Sequence, residues 1–102
     1  MQKFDVIMTV RAKNDLFDIV SYLSKFSFEI AENYYELILR KVNSLVTFPK
    51  GYPSVRDKRL REKGCRWITA RNYVIYFIVH EEKNLVVVER ILYSRRAYDI
   101  LL

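Results

Sequence analysis

The fold of this chain is decided by residues 73–93, which read YVIYFIVHEEKNLVVVERILY. Two apolar runs, Tyr73–His80 and Leu85–Tyr93, flank the short polar turn Glu81–Asn84. Both runs are rich in β-branched and aromatic residues, which is typical of strands joined as a hairpin. A third run, Cys65–Thr69, precedes them, and in this part of the chain the side-chain pattern repeats every two residues, as in a strand. The three runs together predict a meander of antiparallel strands.

The N-terminal half of the chain predicts one strand followed by two helices. Phe4–Val10 has the alternation of a strand. After Asn14, which is suited to cap a helix, apolar residues recur every three or four positions. Ser27 offers a second cap, and a longer helical stripe runs from there to Phe48, where Pro49 ends it. Two helices joined by almost no linker are expected to pack as an antiparallel hairpin.

These elements predict a single α+β domain over residues 1–102, in which an N-terminal strand and an antiparallel helical hairpin packed on a small antiparallel sheet precede the C-terminal three-stranded meander. We expect the helices to cover one sheet face and the other face to stay open. The stretch from Pro49 to Gly64 holds both prolines and both glycines, and is predicted to be irregular and partly mobile. Ser94–Leu102 predicts a basic turn and a short helix.

The positive charge of the chain is concentrated in one segment. Between Lys50 and Arg71 there are eight basic residues and two acidic ones, a difference equal to the whole net charge of +6. One interpretation is a solvated loop. The other is a surface that meets a polyanion or an acidic partner.

The scarcity of glycine, histidine and cysteine excludes or disfavours several kinds of catalytic and binding site. Two glycines cannot build a glycine-rich phosphate loop, and one histidine with one cysteine falls short of a metal site, so no metal and no cofactor is expected. His80 is expected to be a surface residue and Cys65 a small core residue. No apolar run has the length of a signal peptide or a membrane span, so we expect a soluble, cytoplasmic protein that uses no membrane.

A group of arginines and tyrosines remains as the candidate for chemistry. Such residues could catalyse attack of an RNA 2′-hydroxyl on its own phosphate, because arginines stabilise the extra negative charge and a tyrosine can move protons. The same residues could equally bind the carboxylates of a protein. We expect Arg66, Arg90 and Arg95 to lie together on the open face of the sheet.

The order of these elements resembles that of the RelE/ParE superfamily, the toxins of type II toxin–antitoxin systems, also described as plasmid stabilisation proteins. Tyr73–Phe77, then Val86–Asp99 with its arginine-rich turn, resemble the C-terminal signature of that family. The helical hairpin that closes at Pro49 is similar too. The resemblance implies a growth-inhibiting protein silenced by a cognate antitoxin. It also implies one of two activities: RelE-like toxins cleave mRNA on the ribosome without a metal, and ParE-like toxins poison DNA gyrase.

Residue by residue, the resemblance to the ribonucleases is incomplete. If the chain is an enzyme, a metal-independent ribosome-dependent endoribonuclease, its catalytic residues would be Arg66, Arg95 and Tyr98. Two further cations expected of that branch fall on Ile68 and Val74. The absence of these two cations favours a ParE-like, protein-binding toxin. The alternatives are an mRNA interferase and a non-toxic co-repressor.

The expected partners are therefore a cognate antitoxin and either DNA gyrase or the ribosome with mRNA. We expect the antitoxin to bind the exposed apolar edges of the helical hairpin. The remaining residues predicted to contact the target or RNA are basic or aromatic: Lys50, Arg56, Lys58, Arg59, Arg61, Lys63, Arg71, Arg90, Tyr93 and Arg96.

Overall fold

The computed structural model describes residues 3–95 of the chain. Four strands and three helices follow one another as β1 (Asp5–Met8), α1 (Val10–Ser24), α2 (Phe28–Ser44), α3 (Lys58–Glu62), β2 (Cys65–Ala70), β3 (Tyr73–His80) and β4 (Leu85–Tyr93). Short 3₁₀ turns lie at Pro49–Gly51 and Glu81–Lys83. The helix predicted after Ser94 lies mostly outside the described residues.

The strands form one sheet in the order β1-β4-β3-β2. β2, β3 and β4 are antiparallel neighbours, so the predicted meander and the α+β class are confirmed. β1 pairs in parallel with β4, from Asp5 opposite Leu85 to Met8 opposite Val88, which makes the sheet mixed rather than antiparallel throughout. All the other helices and strands of the described chain lie between β1 and β4 in sequence. Because no tight turn joins the two strands, they are free to pair in parallel.

The first helix begins earlier than the sequence predicts. Its N-cap is Thr9, whose hydroxyl accepts a hydrogen bond from the Ala12 amide at 3.0 Å, whereas Asn14 lies inside the helix. The same hydroxyl donates to the carbonyl of Glu89 in β4, also at 3.0 Å. This long-range bond favours Thr9 over Asn14, and it ends β1 at Met8 instead of Val10.

The second helix confirms the predicted cap and ends earlier than expected. Ser27 caps α2 by accepting from the Ile30 amide at 3.2 Å. The helix stops at Ser44, and the Val46 carbonyl beyond it accepts from the Phe4 amide at 2.8 Å. Phe48, predicted as the last residue of the apolar stripe, is 66% exposed. The end of α2 is therefore fixed by its bond to the N-terminal strand.

The sheet is buried on both faces over β3, because its residues from Tyr73 to Ile78 are all buried. On one face α1 and α2 cover the main core, which includes Phe77 and Ile75. The opposite face carries a second apolar cluster in which Val55 and Leu60 pack with Cys65 of β2.

The expectation of an open face is thus wrong over β2 and β3, where residues 53–63 cover the sheet. We call this segment the basic cap. It is also more ordered than predicted, since Asp57 caps α3 by accepting from the Leu60 amide at 3.0 Å. Val55 and Leu60 are 6% and 1% exposed, so they anchor the segment to the sheet. Its cations flank two apolar anchors, which the charge pattern alone concealed.

Candidate functional site

Arg66 lies on the helix-covered side of the sheet, not on the opposite face. It stands directly opposite Phe77, a residue of the main core, and directly opposed residues share a face. Its Nη1 donates to the carbonyl of Tyr52 at 2.6 Å. A shallow cavity beside it also contains Lys63 and His80. Arg66 therefore helps to hold the chain that leads into the basic cap.

Arg90 is already paired with a carboxylate. Its Nε donates to Asp15 Oδ2 at 2.7 Å and its Nη2 to Asp15 Oδ1 at 3.0 Å. The Ile91 amide donates to the same Oδ2 at 3.0 Å, so Asp15 joins α1 to β4 through three hydrogen bonds. The hydrogen bond from Arg90 to Asp15 raises the pKa of the guanidinium. The pair therefore links α1 to β4. Because Asp15 neutralises Arg90, this arginine offers little positive charge to a ligand.

The end of β4 carries the other predicted residues. Tyr93 is 40% exposed and meets Tyr73 edge to face, with 5.7 Å between ring centres. Arg95 follows two residues later and is exposed. Arg96 and Tyr98 lie outside the described residues. The expected convergence of Arg66, Arg90 and Arg95 on an open face is not found, because Arg66 and Arg90 have different partners and line different cavities.

The basic cap presents most of its cations to solvent. Lys50, just before it, pairs with Glu81 at 2.6 Å, and a hydrogen bond from Lys50 lowers the pKa of Glu81. Within the cap Lys58 lies 4.0 Å from Glu62. The exposed cations of the cap are Arg56, Lys58, Arg59, Arg61 and Lys63. These predicted binding residues lie in one segment, on either side of the buried Leu60 in sequence.

Arg71 stands apart from that segment. It occupies the turn between β2 and β3 with a left-handed φ of 54°. Its guanidinium carbon lies 5.9 Å from the ring centre of Tyr34, which is a cation–π contact with α2.

The helical hairpin exposes several large apolar side chains, as predicted for the antitoxin surface. Phe17 and Tyr22 of α1 are 70% and 56% exposed, and Phe26 and Phe28 at the tip are 72% and 75% exposed. Tyr22 and Phe26 contact each other edge to face at 5.3 Å. We call these four residues the hairpin patch. Exposed aromatic groups, of which Tyr22 and Phe26 touch each other, are typical of an interaction surface.

A second feature of this region was missed from sequence. A cavity of about 530 Å³ opens where α1 meets the ends of β3 and β4, and four tyrosines line it. The sequence places Tyr73 in a predicted strand and indicates no binding role for Tyr22 or Tyr34. Because these residues come from separate helices and strands, no local sequence motif predicts that they form one cavity.

The described part of the chain has neither a metal-ligand cluster nor a helix that could span a membrane. Between residues 3 and 95 no three His, Cys, Asp or Glu residues are grouped so that they could hold a metal ion. None of the helices in that range is long and apolar enough to cross a membrane.

Comparison with known proteins agrees with this architecture. The ParDE toxin–antitoxin system of P. aeruginosa contains a chain similar in fold, with a TM-score of 0.71 and 20% identity over 89% of this chain and 96% of that one. The RelBE2 complex of Mycobacterium tuberculosis gives 0.60 and 18%, covering 89% and 98%. The isolated E. coli RelE toxin gives 0.58 and 17%, covering 96% and 99%.

At the level of sequence, no curated protein matches the chain. The model of one protein family does, and it describes the ParE toxin of the type II toxin–antitoxin system parDE. The match runs from residue 6 to residue 98 and so includes every strand of the sheet after the first residue of β1. The chain therefore belongs to the ParE toxin family of type II toxin–antitoxin systems.

Proposed function

We propose that this toxin inhibits growth by binding DNA gyrase in the cytoplasm, and that a cognate antitoxin silences it. The observation that carries the choice of gyrase over RNA is the pairing of Arg90 with Asp15. Cleavage of RNA without a metal needs several free cations around one phosphate, because they must stabilise the added charge of the transition state. In this chain the carboxylate of Asp15 already neutralises Arg90, one of the three arginines expected to lie together.

The positions of the other candidates support the same choice. Ile68 and Val74, where the ribonuclease branch would carry cations, are buried apolar residues of the two cores. Arg66 binds the Tyr52 carbonyl on the helix-covered side. Protein binding requires no such convergence, because a broad charged surface is enough to attract a partner of opposite charge.

The basic cap is the surface that we assign to the target. Its cations flank a fixed anchor, so the positive potential has a defined position on the molecule. Charged surfaces of this kind speed the encounter with an acidic partner by 10- to 1000-fold in general. The test is a supercoiling assay with purified gyrase, in which the toxin is expected to block supercoiling or to trap cleaved DNA.

Reversing two charges of the cap should weaken this inhibition. In Arg59→Glu/Arg61→Glu we expect the half-inhibitory concentration to rise about tenfold, since the attraction to an acidic surface is lost. Arg11→Glu/Lys13→Glu changes the net charge equally at exposed positions of α1 and should leave it unaltered. Equal inhibition by both double variants would rule out the cap as the binding surface.

The alternative target is translated mRNA on the ribosome. It is favoured by the exposure of Arg95, which remains available to a phosphate, and by the shared fold with the E. coli RelE toxin. In that case the chain would cut mRNA in a translating extract and leave gyrase unaffected, and Arg95→Ala would abolish the cuts. A non-toxic co-repressor would do neither, and its overproduction without antitoxin would not stop growth.

The antitoxin is proposed to cover the hairpin patch. The similar chains of P. aeruginosa and M. tuberculosis come from toxin–antitoxin systems, the latter solved as a complex. Exposed aromatic residues suit a partly disordered segment with apolar anchors, which folds as it binds. The candidate partner is the product of the neighbouring reading frame.

Binding of that antitoxin should stabilise the toxin measurably. At a hundredfold excess over its Kd we expect Tm to rise by about 10 °C, because ligand binding to the native state alone adds about 2.7 kcal/mol. Phe26→Ser removes an exposed aromatic group and should reduce this rise, whereas Phe48→Ser, exposed elsewhere, should not. A rise that is identical in both variants would place the antitoxin on another surface.

A further inference from the structure

The tyrosine pocket, the cavity introduced above, has a lining unlike the rest of this basic protein. Its lining includes two carboxylates, Asp15 and Asp18, and one guanidinium, Arg90. Asp15 is paired with Arg90, while Asp18 is exposed and has no salt-bridge partner among residues 3–95. The pocket is therefore a negatively charged site on a chain whose net charge is +6.

The aromatic rings of the pocket stand at steep angles to one another. Tyr73 meets Tyr34 at 85° and Tyr93 at 66°, in both cases with 5.7 Å between ring centres. In an edge-to-face pair one ring offers only its edge, which leaves its faces open to other groups, and one face of Tyr34 is already covered by Arg71. The Tyr34 hydroxyl accepts from Asn72 Nδ2 at 3.4 Å, which ties this ring to the β2–β3 turn.

The hydroxyl group of Tyr73 favours its neutral form. Burial raises the pKa of Tyr73, and the neighbouring oxygens of Tyr34, Tyr93 and Tyr22 raise it further. A neutral tyrosine hydroxyl can accept as well as donate a hydrogen bond. Rings set at angles around such acceptors, with one carboxylate, are what a desolvated organic cation requires.

Two contacts within the chain show the same two ways of binding a cation, over an aromatic ring and against a carboxylate. The guanidinium of Arg71 lies over Tyr34, and that of Arg90 is held by Asp15. Tyr22 also belongs both to the pocket and to the hairpin patch, where it contacts Phe26. A segment bound along the hairpin patch thus passes the mouth of the tyrosine pocket.

We propose that the tyrosine pocket binds the side chain of one arginine or lysine of the antitoxin, held between the tyrosine rings and Asp18. This inference rests on the proposed antitoxin and adds the chemistry of one contact to it. A volume of about 530 Å³ is large enough to admit one such side chain. The contact gives a single basic residue, in an otherwise apolar and acidic segment, a defined place.

The first test uses a probe of known chemistry. The peptide acetyl-Gly-Arg-Gly-amide is titrated into the purified toxin while ring signals are followed by NMR. Its citrulline counterpart has the same shape without the charge. We expect the arginine peptide to bind about tenfold more tightly than the citrulline peptide. Tyr93→Leu and Asp18→Asn should each remove this preference, and Tyr35→Leu, an exposed tyrosine outside the pocket, should keep it.

The second test identifies the source of the cation. Each basic residue of the antitoxin is replaced by alanine and measured against the toxin and against Tyr93→Leu. One replacement should weaken binding to the unaltered toxin about tenfold and leave binding to Tyr93→Leu unchanged, which is the signature of direct coupling. Equal binding of the two peptides, or the absence of any coupled antitoxin residue, would overturn the inference. Failure of the antitoxin to bind at all would instead overturn the proposed function.

Discussion

Replacing Asp15 by alanine is expected to lower the free energy of unfolding by about 3 kcal/mol, because breaking one side of a largely buried ion pair leaves the other charge without compensation. The side chains of Asp15 and Arg90 are only 15% and 18% exposed. The change also removes the acceptor of the Ile91 amide. Urea unfolding of the purified toxin measures the loss.

A double substitution separates the charge effect from loss of packing. Asp15→Ala/Arg90→Met has no uncompensated guanidinium and should recover a large part of the stability, since apolar replacements of buried pairs are often nearly neutral. Asp18→Ala, on the same helix and exposed, is the matched control and should change little. If Asp15→Ala and Asp18→Ala unfold at the same urea concentration, the link between α1 and β4 does not contribute to the free energy of unfolding.

Shortening Leu60 to alanine is expected to expose the thiol of Cys65 about 100-fold more often. Leu60 is 1% exposed and belongs to the same cluster as Cys65. Loss of a buried leucine side chain costs 2–5 kcal/mol, and about 3 kcal/mol corresponds to a 100-fold change in a local opening equilibrium. The measurement is the rate at which a thiol reagent labels the native protein at pH 8.

The chemistry of Cys65 makes that measurement sensitive. Burial, and secondarily the charge of Glu89, raise its pKa from an ordinary 9.0 to about 11, so the closed state holds almost no thiolate at pH 8. Labelling must therefore pass through an opening of the basic cap. Arg59→Ala, an exposed change in the same short helix, should leave the rate near that of the unaltered chain. An unaltered rate in Leu60→Ala as well would mean that Leu60 does not hold the cap closed.

The sequence is most informative where local and long-range preferences agree. The two-residue period of residues 73–93 and the capping serine Ser27 predicted the meander and the start of α2, and both are confirmed. Thr9 was missed as a cap because its advantage over Asn14 includes a bond to Glu89, far away in the chain. The anchoring role of Leu60 was hidden by the cations on either side of it.

The candidate site was predictable in composition but not in arrangement. The alternation of Arg66 with Ile68 and Ala70 places Arg66 on the core face of β2, and that signal was available in the sequence. The partner of Arg90 was not, because Asp15 lies on another element and no spacing rule connects them. The tyrosine pocket likewise depends on how α1 meets the end of the sheet.

The parallel pairing of β1 with β4 has a consequence for how this molecule is made. Each bonded position in β1 is 80 residues away from its partner, so the ribosome must have synthesised most of the chain before the sheet can close. Contacts of such high separation are slow to form, since loop-closure entropy must be overcome first. Until then the N-terminal strand has no neighbour. The N-terminal strand of the nascent chain consequently stays outside the sheet through most of translation, because β4 is its only partner strand among the described residues.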